Sequence, residues 1–246
     1  MFTRASRELI QEYYPAYSGP VGVYALQEHV LEQVVPPLID RYLVPEHFAV
    51  DLGCGRGTMV RRLSERARRA VGIDVDDSGF ANNPGLELIK ASIYDIPIGS
   101  GEVDFVTSRW VFEHLAKPQQ AVREINRILR PGGHALIVVP NLLHPGMLLS
   151  KVLPLGVKQR LLSRFDELEE ETVLETYYRA NTERSLNRLF DGVGLEKREL
   201  HYVKDVSYWM FSQSLFRLAH TVERVTDLRP LQRFRLAIVA VYQKCG

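Results

Sequence analysis

The segment Ala49-Val50-Asp51-Leu52-Gly53-Cys54-Gly55-Arg56-Gly57 constrains this chain more than any other. A short apolar run stops at alternating glycines, and Met59, Val60, Leu63 and Ala67 then recur at helical spacing. That reads as strand, glycine-rich turn and helix, the opening of a βαβ unit whose turn approaches a ligand without Cβ clashes. Asp74 lies in the next apolar run (70–75), 19 residues beyond Gly55. At that distance a carboxylate reaches a ribose 2′-hydroxyl across the first unit, so a nucleotide-like ligand is expected at this edge.

The alternation continues. Strands are expected over 86–92, 103–108 and 134–140, with a helical stripe at Ala121, Val122, Ile125, Ile128 and Leu129 that Pro131-Gly132-Gly133 ends. Alternating β and α units imply a parallel sheet with helices on both faces. After Pro140 the pattern breaks for about 40 residues, too long for an ordinary connection, which predicts an inserted cap leaving the carboxyl edge of the sheet. Leu186, Leu189 and Phe190 resume as helix, 195–203 as strand and 234–242 as a final buried strand. Between those strands Phe211, Leu215, Leu218, Val222 and Val225 predict a second inserted helix with one apolar face. That face is expected to pack on the sheet or cap; a membrane-surface or partner-binding role is the alternative, because Arg217, Arg224 and Arg229 accompany it.

The 246 residues suffice for one α/β domain with appendages. With a net charge of +1 there is no case for a nucleic-acid binder, and the arginines at 61, 62, 66, 68 and 69 read as a solvated helix face. The two cysteines, Cys54 and Cys245, make no disulfide or metal framework. No apolar run approaches a membrane span or a signal-peptide core, so a cytoplasmic location is expected.

Asp51 narrows the ligand. A carboxylate at the base of the loop would repel a pyrophosphate, and G-x-G-x-G is not the G-x-G-x-x-G of dinucleotide oxidoreductases. The same carboxylate suits an ammonium group, such as the methionine end of an adenosyl sulfonium. Together VDLGCGRG, VGIDVD, ASIYDIP, VDFVTSRWVFEHL and REINRILRPGGHALIVVPN resemble class I S-adenosylmethionine-dependent methyltransferases, strongly over 48–141 and more weakly over 181–242.

The resemblance implies a Rossmann-like, seven-stranded, mostly parallel sheet with an antiparallel last strand, in one domain spanning 1–246. Its parts would be a helical N-terminal extension (1–44), a cofactor-binding core (45–141), a cap insert (142–180), and a C-terminal part (181–246) with a helical insert near 206–228. It implies S-adenosylmethionine as cofactor and S-adenosylhomocysteine as product. Asp51, Gly53 and Gly55 would line the methionine and ribose, Asp74 the ribose, and Ser92 and Ile93 the adenine. Leu52, Cys54, Val75, Ser108 and Trp110 complete the cofactor-binding set. One departure stands out: where many relatives have G-D-A, this chain has Ala91-Ser92-Ile93, so at adenine N6 either the Ser92 hydroxyl replaces the carboxylate or affinity is lower.

Methyl transfer from a sulfonium needs alignment and exclusion of water; a hydroxyl acceptor also needs a base. His114, just past the fourth strand, is the candidate base, the alternative being that Glu113 and His114 simply hold the following turn. Some quinone-pathway relatives carry E-x-x-E-H here and hold a divalent metal; Trp110 stands at the first Glu position, so no metal is expected. Thr107-Ser108-Arg109-Trp110 replaces the N-P-P-aromatic segment of amine and nucleobase methyltransferases. His144, Tyr177, Tyr178 and Arg179 are candidate contacts to a small-molecule or glycan-like acceptor. The competing readings are a non-catalytic binding protein on the same fold and a nicotinamide-dependent oxidoreductase.

Overall fold

The computed structural model describes residues 28–152, 175–204 and 213–246. The expectations for 1–27 of the N-terminal extension, for 153–174 of the cap insert and for Phe211 lie outside them. Among the described residues seven strands form one sheet: β1 (Phe48–Leu52), β2 (Arg69–Asp74), β3 (Glu87–Lys90), β4 (Val103–Arg109), β5 (Leu129–Pro140), β6 (Leu195–Val203) and β7 (Ala237–Lys244). Their order is β3-β2-β1-β4-β5-β7-β6. The helices are α1 (Val35–Tyr42), α2 (Thr58–Ser64), α3 (Pro118–Ile128), α4 (Pro145–Val152), α5 (Glu183–Asp191) and α6 (Gln213–Val225).

The strands β3, β2, β1, β4 and β5 pair in parallel. β7 runs against its neighbours: near its end the Lys244 ammonium donates to Leu129 O at the start of β5, and Cys245 N–H donates to Gly194 O just before β6. The mostly parallel sheet with an antiparallel last strand is therefore as expected. All of β1 and all but the last residue of β4 are buried, which is why these segments read as continuous apolar runs rather than as an alternation.

The boundary after α3 differs from the expectation. Leu129 ends the apolar stripe in sequence, yet it is extended (φ −66, ψ 135) and begins β5. Pro131 has no N–H for a continuing helix and biases the residue before it toward extended backbone. The β4–β5 register then shifts between the Val103–Leu129 and Phe105–His134 pairs, so Pro131-Gly132-Gly133 bulges out of the ladder.

The chain divides into two compact units. The described residues 36–140, 175–201 and 238–246 make one, and 28–35, 141–152, 202–204 and 213–237 the other. In the first, α5 begins with a capping box in which Thr182 and Ser185 bond each other's backbone N–H, and it buries Phe190. Phe190 stacks on Tyr242 at 4.0 Å between ring centroids and meets Phe112 at 5.9 Å. The Tyr242 hydroxyl, whose pKa burial raises, donates to Asn187 Oδ1.

In the second unit Asn141 is the anchor: its Nδ2 donates to Arg233 O and Arg235 O, both at 2.7 Å, and its N–H to Leu236 O. The end of α6 departs from the expected apolar face. Val225 is 51% exposed, whereas Glu223 and Thr226 are buried. The reason is pairing: the Thr226 hydroxyl donates to Glu223 O and accepts from Arg235 Nε, and His144 Nε2 lies 3.4 Å from Glu223 Oε1. Among the described residues no helix is long and apolar enough to cross a membrane.

Candidate functional site

The glycine loop leaves the carboxyl end of β1 with Gly53 at φ 73 and Gly55 at φ 48, a region that L side chains enter at a cost. Gly53 is fixed twice over. Its N–H donates to Ile73 O at 2.8 Å, and a Cβ there would stand 2.1 Å from Val111 Cγ2. At Gly55 a Cβ would meet nothing within 4 Å, so the second turn of the loop faces open space. Asp74, at the end of β2, ties the loop to the neighbouring strand by accepting Gly55 N–H at 2.8 Å and Asp76 N–H at 3.0 Å. Val75, next to it, is 65% exposed, an apolar side chain held out at the same edge.

Asp51 is buried at the base of this loop and pairs in register with Thr107 on β4. The Thr107 hydroxyl donates to Asp51 Oδ1 at 2.6 Å. Thr107 entered the sequence reading only within the segment that replaces N-P-P-aromatic and not as the partner of Asp51; the available signal was that a β1–β4 pairing sets it opposite Asp51. Leu52 is fully buried beneath the loop. Burial above all, and then the Asp51 and Asp74 carboxylates, push the Cys54 thiol up to about 12, so it stays a neutral, inert wall of the loop.

On β3's side, the turn at Ser92 and Ile93 follows the strand. Ser92 Oγ accepts Tyr94 N–H at 3.1 Å, and Ile93 is buried. The segment after it is held from α3: Glu124 accepts Ile96 N–H, and Arg127 donates to Ile96 O and Ile98 O. The Ser92 hydroxyl thus spends one lone pair locally and keeps the other.

The carboxyl end of β4 concentrates unusual features. Ser108 Oγ, Trp110 Nε1 and Glu113 Oε2 are buried without a hydrogen-bond partner, and such atoms cost about 1–3 kcal/mol each unless something pairs them. Trp110 has φ 58, a strained conformation for a bulky residue, while its N–H donates to Val138 O. Burial pushes the Glu113 carboxyl up to about 8, so it is a neutral acid at neutral pH. His114 is half-buried, with Nδ1 2.9 Å from Glu175 O.

The residues 175–179 fold onto this turn. Tyr177 N–H and Tyr178 N–H both donate to Glu113 O, at 2.7 and 3.2 Å, and the Arg179 guanidinium donates to Ala116 O. Tyr178 is left-handed at φ 51, and burial foremost raises its phenol. The Tyr177 hydroxyl donates to Glu175 Oε2. Of the acceptor candidates, Tyr177 and Tyr178 are therefore brought beside His114. His144 belongs to the other unit, buried, accepting Gly146 N–H at Nδ1 and facing Glu223 with Nε2. No group of three or more His, Cys, Asp or Glu that could hold a metal occurs among the described residues.

Residues 50–137 match a family model described as a methyltransferase domain. A probable S-adenosylmethionine-dependent methyltransferase of Mycolicibacterium smegmatis is 33% identical over 96 residues, which cover 37% of each chain. A ubiquinone biosynthesis O-methyltransferase of Marinobacter nauticus is 26% identical over 104 residues, 38% of this chain and 44% of that one. The chain thus spans less than half the length of either relative. A solved S-adenosylmethionine-dependent methyltransferase of Archaeoglobus fulgidus, 14% identical, has the same fold over 97% of this chain and 99% of its own, with a TM-score of 0.60. Residues 50–137 are thus a methyltransferase domain, and the sheet that carries them has the fold of solved S-adenosylmethionine-dependent methyltransferases.

Proposed function

We propose that this chain is an active methyltransferase that moves a methyl group from S-adenosylmethionine to a hydroxyl of a small-molecule or glycan-like acceptor. The residues present fit the cofactor: a buried carboxylate for the ammonium (Asp51), a glycine turn open at Gly55, and a carboxylate for the ribose diol (Asp74). The cofactor, when bound, supplies a methyl group already activated for in-line displacement. The protein has only to align the acceptor and exclude water.

One observation carries the hydroxyl reading. Glu175 O is a carbonyl and can only accept, so His114 Nδ1 carries a proton, and in the neutral form of the ring the contact holds the Nδ1–H tautomer. The lone pair then sits on Nε2, and the ring is held in the tautomer a general base requires. Tyr177 and Tyr178, tethered through Glu113 O, flank the same turn and are the proposed acceptor contacts.

Calorimetric titration with S-adenosylmethionine and S-adenosylhomocysteine tests the donor site. Both should bind, and Asp74→Ala should abolish binding; no binding by folded wild-type protein would overturn the reading. Once an acceptor is found, His114→Ala should lower turnover with little change in donor affinity. Turnover and pH profile left unchanged would remove His114 from the role of base.

A further inference from the structure

The second unit carries an amphipathic surface that methyl transfer does not require. Its segments 141–152 and 213–235 hold six Lys and Arg against two Asp and Glu, while the whole chain is only +1. Neither acid stands on the surface as an isolated charge: Glu223 is buried beside His144 and Thr226, and Asp227 pairs with Lys204 and Arg235. Arg224, Arg229 and Arg233 are exposed, as is Arg217 on the preceding turns of α6.

Among these cations stand large apolar side chains that the fold leaves in solvent. Val225 is 51% exposed and Leu228 61%. Leu143 and Leu148, also exposed, lie on the segment that Asn141 and His144 hold against 223–236. Four exposed aliphatic side chains among exposed arginines combine the two attractions that bind a protein to an anionic interface, apolar insertion and charge.

We propose that this face docks on an anionic lipid bilayer, with Val225 and Leu228 entering the acyl boundary and Arg224, Arg229 and Arg233 among the headgroup phosphates. A nucleic-acid backbone would satisfy the arginines and leave the aliphatic side chains in water. A second copy meeting the same face across a two-fold axis would bring arginines against arginines.

The test is co-sedimentation of the full chain with vesicles of phosphatidylcholine alone or mixed with phosphatidylglycerol. Binding is expected to the mixed vesicles, weakening as salt is added. Arg224→Gln with Arg229→Gln should weaken it by more than about tenfold, since each cation near such a surface contributes roughly fivefold. Val225→Ser with Leu228→Ser should weaken it by at least about fivefold. Both pairs are exposed, so melting temperatures should be unchanged, which separates loss of docking from loss of fold. Absence of binding to the mixed vesicles, equal binding to phosphatidylcholine alone, or binding indifferent to both double variants would each overturn the proposal. So would a concentration-dependent dimer that Val225→Ser with Leu228→Ser dissolves, since that assigns the face to a second copy.

Discussion

Glu113→Gln should stabilise this protein at alkaline pH and leave it nearly unchanged in acid. Burial raises the Glu113 carboxyl from 4.5 to about 8, and no cation among the described residues offsets it. The folded state therefore retains a proton that the unfolded chain releases above 4.5. Stability must fall as pH rises through the window between 4.5 and about 8, and the loss is complete above it. Such a shift corresponds to about 5 kcal/mol at most. Relaxation around the carboxylate lowers this, so about 2–5 kcal/mol is the working range. Glutamine is neutral at every pH and close in shape, its second buried N–H costing about 1 kcal/mol. Urea unfolding of both proteins from pH 4 to 9 isolates the effect, because every other titrating group cancels in the difference. A wild-type minus variant difference that stays flat across that range would refute the assignment of an acid held neutral by burial.

Two further outcomes follow from the geometry. Gly53→Ala should cost about 1–2 kcal/mol from its φ of 73, and more from the 2.1 Å approach to Val111 Cγ2; Val111→Ala in the same chain should recover only the steric part in thermal melts. His134 is held down to about 4, by burial first and then by Arg198, His47 and Arg130. A depressed imidazole binds fewer protons folded than unfolded, so stability is lost as pH falls from 6.5 toward 4. His134→Gln should flatten that loss by about 1–2 kcal/mol after allowance for partial exposure, read by urea unfolding over the same interval.

What the sequence made legible is what local chemistry dictates. Asp51, the loop glycines and Asp74 could be placed because a strand stop, a turn and a strand end are written within a few residues of one another. The strands buried on both faces announced themselves as apolar runs. The partner of Asp51 was not legible by that route, since Thr107 lies 56 residues away and meets it only through strand register. Val225 read as core because its spacing matched an apolar stripe, yet Glu223 and Thr226 took the inward positions through partners such as Arg235 and His144. Periodicity counts apolar residues; it does not see a polar group that has found a partner.

The same distinction decides how the β4 turn is understood. In sequence, His114 is the candidate base, and the alternative is that it and the adjacent Glu113 both hold the turn. In the fold Glu113 is buried and neutral while its carbonyl receives Tyr177 and Tyr178, and His114 is half-buried with its Nδ1 committed to Glu175 O. One residue holds the segment 175–178, the proposed acceptor side, and the other is the proposed base. That division depends on a contact between positions 61 residues apart. A variant that frees 175–178 without touching His114 should therefore disturb acceptor use and spare donor affinity. Pro at Tyr177, which removes the N–H donated to Glu113 O, is such a variant. Loss of S-adenosylmethionine binding in Tyr177→Pro would mean the clasp serves the cofactor site instead.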